Sequence, residues 1–191
     1  MRIKQLSTAV ACVVLATTCG CGRDADLAEA EFTSQYEGVR ARVWVPLNEP
    51  RSVGTYRAEV TWPGGTSDLI RGERDGMIGN VWLTDLGEDG TLELVVAMSS
   101  VGSGTYGSVD IYEHRGGAFR RVGVRSLDES RRAGYMGHDS FYVEGGRLYR
   151  SFPVYAEHDP NAAPTGGEAV LWYSLPESTW VSAPGGREDA E

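Results

Sequence analysis

An all-β fold, a single compact antiparallel sandwich or barrel-like domain of about eight or more short strands, is predicted by three features of this chain. Apolar residues recur at period two in short runs, such as Val39, Ala41, Val43 and Val45, then Tyr56, Ala58, Val60 and Trp62. Glycine and proline, 25 and 8 of the 191 residues, fall between those runs and punctuate them. Helical spacing is confined to one short segment, Leu127 to Ala133.

In chain order, the two alternating runs at Val39–Val45 and Tyr56–Trp62 each present one apolar face. Val81–Thr84 is a short apolar run, and Leu92–Met98 is apolar on almost every residue. Ser108–Glu113 alternates again and is rich in β-branched and aromatic residues, as strands are. Phe119–Val124, Phe141–Glu144, Leu148–Val154 and Ala169–Leu175 complete the set. Arg115-Gly116-Gly117 and Glu144-Gly145-Gly146 carry the residues of tight hairpin turns, where positive φ is needed.

The ends are of a different kind. Arg2 and Lys4 precede an apolar core of 8 residues, Ala9 to Ala16, too short for a bilayer that needs ~20. Residues 1–20 therefore read as a secretory signal. Cys19 and Cys21 at the cleavage region give it the look of a lipoprotein signal. Gly20 before Cys21 makes Cys21 the expected lipidation site, with Cys19 after Thr18 as the alternative; the competing reading is an ordinary cleaved signal with an incidental cysteine. Residues 21–36 read as a flexible tether, 37–182 as the domain, and 183–191 as a disordered tail. All three cysteines, Cys12, Cys19 and Cys21, lie in or beside the signal. A mature chain lipidated on Cys21 has no thiol for a zinc site, a disulfide or a nucleophile. Its stability must come from its own core, which a domain of about 145 residues can supply.

Removing Arg2 and Lys4 takes the formal charge from −9 to −11. That balance argues against a nucleic-acid partner and suits a cationic protein, whose approach it accelerates. The most informative stretch is Ser99–Gly107. Gly102, Gly104 and Gly107 spell G-x-G-x-x-G, but a dinucleotide site needs a helix next, and the next residues, Ser108–Glu113, have the alternation of a strand. A nucleophile elbow fails too, because Val101 stands two before Ser103. The Ser/Gly/Tyr composition is instead that of a protein-recognition loop. In it, Gly102, Gly104 and Gly107 are expected to permit a tight, protruding backbone.

Two chemical constellations compete with that reading. Asp85, Asp89 and Glu93 surround a glycine turn and are weak candidates for calcium, although the same turn is explained by Asp side chains bonding local backbone. Ser103, His138 and Asp139 contain the residue types of a hydrolase triad, while His114, His138 and His158 share no metal-ligand spacing.

Ser103-Gly104-Thr105-Tyr106 resembles the S-G-x-x-Y motif of the periplasmic inhibitors of invertebrate-type (i-type) lysozyme, the PliI family. Arg51–Tyr56, Arg74–Gly76, Val81–Leu86, Gly134–Asp139, Phe152–Tyr155 and Asn161–Gly167 resemble further blocks of that family in its order, over Val39 to Trp180. The resemblance implies a compact antiparallel β fold, a bacterial envelope location and a loop that plugs a lysozyme cleft. Ser103 and Tyr106 would be the inhibitory pair, with Gly102, Gly104 and Thr105 shaping the loop. It also admits a homodimer. Thr105 stands where Ser is common, and the lipid anchor and short acidic tail depart from the soluble form. The expected function is thus lysozyme inhibition, without catalysis or cofactor, by a membrane-anchored envelope protein. The alternative is a calcium-binding or adhesive envelope lipoprotein built on Asp85–Glu93. A hydrolase using Ser103, His138 and Asp139 is the third reading.

Overall fold

The computed structural model describes residues 28–50 and 52–183. Twelve strands form three four-stranded antiparallel meanders. The first holds β1 (Ala28–Tyr36), β2 (Val39–Pro46), β3 (Gly54–Thr61) and β4 (Ser67–Arg74). The second holds β5 (Met77–Thr84), β6 (Glu93–Ser99), β7 (Gly107–Arg115) and β8 (Ala118–Val122). The third holds β9 (Ser140–Glu144), β10 (Arg147–Pro153), β11 (Glu168–Ser174) and β12 (Thr179–Ser182). Each is an open sheet whose strand order follows the chain, so the predicted all-β class holds without barrel closure.

The sheets stack in three layers, and the side-chain parity of the strands explains why. Leu94, Val96 and Met98 of β6 pack with Val43, Tyr56, Ala58 and Val60 of the first sheet. The intervening Val95 and Ala97 pack with Leu148, Phe152 and Leu171 of the third. The second sheet is therefore covered on both faces, which is why β6 reads as an unbroken apolar run rather than an alternation. Full burial of each such aliphatic side chain contributes about 1.5–3 kcal/mol. The outer sheets bury chiefly the face turned to the second sheet, and β3 keeps the period of two.

Gly116-Gly117 and Gly145-Gly146 sit at positive φ in the predicted hairpin turns. Glu37-Gly38 is another turn of this kind, with φ of 46° and 87°, joining β1 to β2. The tether reading of 21–36 is corrected here: from Ala28 onwards it is strand, because Ala30, Phe32 and Tyr36 pack against the first core. Strands β4 and β12 also went unpredicted; both are edge strands of their sheets, β4 mostly polar and β12 only four residues long. The helical segment expected at 127–133 shrinks to α1 (Glu129–Arg132), where Asp128 accepts from Arg131 N as N-cap. Ala183, first residue of the predicted tail, donates its N–H to Val170 O at 2.9 Å. The predicted signal, Cys19, Cys21 and the tail from 184 onwards lie outside the described residues. No helix among the described residues is long and apolar enough to cross a membrane.

Candidate functional site

The Ser/Gly/Tyr segment is the hairpin loop between β6 and β7, the central strands of the doubly covered sheet. It is closed at its base by two bonds, Ser100 N to Tyr106 O at 2.8 Å and Tyr106 N to Ser100 Oγ at 2.9 Å. Thr105 N donates to Gly102 O at 3.3 Å across the tip. Ser103 is exposed, and its hydroxyl makes no hydrogen bond among the described residues. Tyr106 is 51% exposed, yet its ring is not loose. It meets Tyr135 edge-on at 5.6 Å, and Tyr135 meets the buried Phe152 edge-on at 4.7 Å.

The glycines work differently from the sequence expectation. None of Gly102, Gly104 and Gly107 has positive φ; the left-handed residue of the loop is Thr105, at φ 38°, unfavourable for a β-branched side chain. Its Oγ1 lies 3.3 Å from His138 Nδ1. Gly104 and Gly107 are needed for close approach instead. A Cβ on Gly104 would stand 2.6 Å from the Tyr106 ring, and one on Gly107 would stand 2.5 Å from both Asp139 and Phe141. A Cβ on Gly102 would meet nothing within 4 Å. Gly102→Ala is therefore expected to leave the melting temperature unchanged, while Gly107→Ala lowers stability by roughly 1–3 kcal/mol. Thermal denaturation of the two variants checks this contrast.

The segment 134–139 braces the loop from below. His138 N donates to Gly104 O at 2.6 Å, and Gly107 N donates to Asp139 Oδ2 at 2.6 Å. The Asp139 side chain is fully buried and accepts from Arg150 Nε at 2.6 Å and from the Tyr135 hydroxyl. Burial, reinforced by the bond to Asp139, pushes the Tyr135 phenol up. Arg150 also donates to Tyr135 Oη at 2.8 Å, and its guanidinium lies 5.2–5.7 Å from the rings of Tyr135, Phe141, Phe152 and Trp180. Arg150 escaped the sequence reading. Its signal was there: it sits between Leu148 and Phe152 on the inward parity of β10, and a charge at such a position demands a buried partner.

Other loops meet at the same end. Buried Arg74 donates to Thr55 O, Gly76 O and Pro50 O at 3.1, 3.1 and 2.6 Å, clamping the β2–β3 loop to the β4–β5 turn. Gly76, at φ 141°, lets that turn run against Ser99, whose carbonyl would be 2.3 Å from an added Cβ. Tyr135 bridges Val154, and Tyr155 Oη donates to Asn161 O at 3.0 Å. Most of the sequence blocks that carried the resemblance thus converge here, whereas Val81–Leu86 builds the core. Leu47, Val53, Met77, Val101, Tyr106 and Met136, six of the eight exposed large apolar side chains among the described residues, lie in or beside these loops.

The competing constellations are not assembled. Asp139 is engaged with Arg150, Tyr135 and Gly107, His138 Nδ1 faces Thr105, and Ser103 stands free of both. At the acidic turn, Asp85 accepts from Asp89 N and Gly90 N, each at 3.0 Å, and Asp89 accepts from Thr91 N at 2.8 Å. Glu93 turns inward, fully buried, and accepts from Leu86 N at 2.6 Å with Oε1 unpartnered. No group of three or more His, Cys, Asp or Glu side chains among the described residues is placed to hold a metal.

Burial pushes the Glu93 carboxyl up to about 8, with Asp89, Glu113 and Asp85 adding to the rise and the Leu86 amide opposing it. A carboxyl raised on folding stabilises fully below its unfolded value, and that stabilisation is lost as pH rises through the folded one. Glu93→Gln is therefore expected to gain on the wild type by roughly 3 kcal/mol between about pH 5 and pH 9. Urea denaturation at both pH values measures it.

Residues 37–123 match the family model described as PliI, Periplasmic lysozyme inhibitor of I-type lysozyme. The resemblance read from the sequence therefore holds over that span, which includes the β6–β7 loop. The blocks from Gly134 onwards, and the whole third sheet, lie outside it. No curated protein matches the chain. Two solved structures are similar at 28% identity. One is PliI-Ah, the periplasmic lysozyme inhibitor of I-type lysozyme from Aeromonas hydrophila, covering 47% of this chain and 84% of that one with a TM-score of 0.41. The other is Aeromonas hydrophila PliI in complex with Meretrix lusoria lysozyme, covering 44% and 74% with a TM-score of 0.40.

Proposed function

We propose that this chain, a match to the PliI family over residues 37–123, is an inhibitor of i-type lysozyme that inserts its Ser103–Tyr106 loop into the enzyme's active-site cleft. The observation that carries the reading is the loop itself. It lies within the family match and presents a free hydroxyl and a half-exposed, braced tyrosine from the end of the central sheet. Glycoside hydrolases hold two carboxylates beside the scissile bond. Hydroxyl donors from Ser103 and Tyr106 are suited to those acceptors, and the Tyr106 ring supplies a rigid contact with few torsions to fix.

The chain performs no chemistry of its own in this reading. It acts in the periplasm, as the family description has it, with Cys21 as the lipid attachment point and Cys19 as the alternative. The acidic balance of 27 carboxylates against 18 basic residues favours approach of a cationic lysozyme. Muramidase assays of the purified protein against invertebrate-, chicken- and goose-type lysozymes test the reading. Inhibition of the invertebrate type is expected, with an association rate that falls as salt rises. Failure to inhibit any of the three would remove it.

A further inference from the structure

We propose that the cleft beneath the β6–β7 loop is a binding site for a small organic carboxylate. The cleft has a volume of about 250 Å³ and lies between the start of β7, the segment 124–127 and the third sheet. Such a volume is below the roughly 300–1,000 Å³ of sites for drug-sized ligands, so its occupant is small.

Its lining is chemically one-sided. In a chain with an excess of acidic residues, three arginines, Arg125, Arg132 and Arg150, face this space and no carboxylate among the described residues lines it. Arg150 is buried, with Nε committed to Asp139 and Nη2 to Tyr135, while its Nη1 has no partner among the described residues. Arg125 has no hydrogen bond or ion pair among those residues. The Arg132 side chain makes one long bond among the described residues, to Leu127 O at 3.3 Å. Asp139 offsets one of the three positive charges from behind; the two rim guanidiniums have no ion pair among the described residues. Planar guanidiniums converging on one space suit a planar oxyanion.

The rest of the wall is mixed, with Ser108, Ser126 and Tyr135 beside a continuous apolar part. Val109, Leu127, Phe141 and Trp180 line the cleft beside the arginines. A bare inorganic anion would leave that surface unused, whereas a carboxylate on a compact apolar body satisfies both parts. Trp180, Phe141, Arg150, Arg125 and Arg132 all fall beyond residue 123, so the cleft is built largely outside the family-matched span.

Titration of the purified protein with benzoate, acetate and inorganic phosphate, by calorimetry and by NMR at the Trp180 indole and the Gly107 amide, tests the proposal. Benzoate is expected to saturate, with acetate and phosphate weaker by about tenfold or more. The double variant Arg125→Gln/Arg132→Gln, altered only on the exposed rim, should weaken benzoate by about tenfold or more at unchanged melting temperature. No saturable benzoate binding, phosphate binding as tightly as benzoate, or a double variant that binds like wild type would each overturn it.

Discussion

Tyr106→Ala is expected to weaken inhibition of an i-type lysozyme by roughly thirtyfold or more, about 2 kcal/mol, with the melting temperature unchanged. The magnitude comes from how the ring is held. Tyr106 is half-exposed but rests edge-on against Tyr135, which rests on buried Phe152. A side chain already fixed in its bound orientation loses little freedom on association, so its contact area converts into affinity. Tyr106→Phe separates the two contributions: it keeps the ring and removes the hydroxyl, and should recover more than half of the lost free energy. Ser103→Ala removes one exposed donor and should cost about 1 kcal/mol. Inhibition constants for the three variants, with thermal melts as a folding control, decide the matter. A Tyr106→Ala protein that inhibits like wild type would place the contact elsewhere.

Asp139→Ala is expected to destabilise the protein by about 3–5 kcal/mol. Removal of this carboxylate leaves the buried Arg150 guanidinium without its counter-charge and deprives Gly107 N and the Tyr135 hydroxyl of their acceptor. A buried ion left unpaired costs more than loss of the whole pair, so Asp139→Ala/Arg150→Met should be more stable than Asp139→Ala alone. The loop is affected through the same carboxylate, because Gly107 opens β7 directly after Tyr106. The surviving folded fraction of Asp139→Ala should therefore inhibit less well per molecule than wild type. Urea denaturation of the single and double variants tests the first claim, and inhibition corrected for folded fraction tests the second.

These two residues also show how far the sequence can be read. Tyr106 stands in a turn-rich segment between two strands, and local composition is enough to mark it. Asp139 does its work on residues 32 and 11 positions away, and nothing local announces such a partnership. The strands divide similarly. Alternation exposed β2 and β3, whose faces differ in polarity, and β7, where it shows in the residue types although both faces are buried. Strands β4 and β12 sit at sheet edges, where polar residues weaken the pattern. Strand β1 had its cue in Glu37-Gly38, but its Ala- and Glu-rich run imitates a solvated tether. The three-layer stacking was legible only in retrospect, from the difference between the unbroken apolar run of β6 and the alternation of its neighbours in the first sheet.

That stacking limits how small a working version of this protein can be made. A fragment ended after β8 would keep the β6–β7 loop and nearly all of the family-matched span, yet strip the cover from Trp82, Val95, Ala97, Val109 and Ile111. Such a fragment should self-associate through the bared side, at the expense of solubility. A designer wanting a minimal scaffold would have to repaint that side with polar residues and supply a substitute for the brace that 134–139 and Arg150 give the loop.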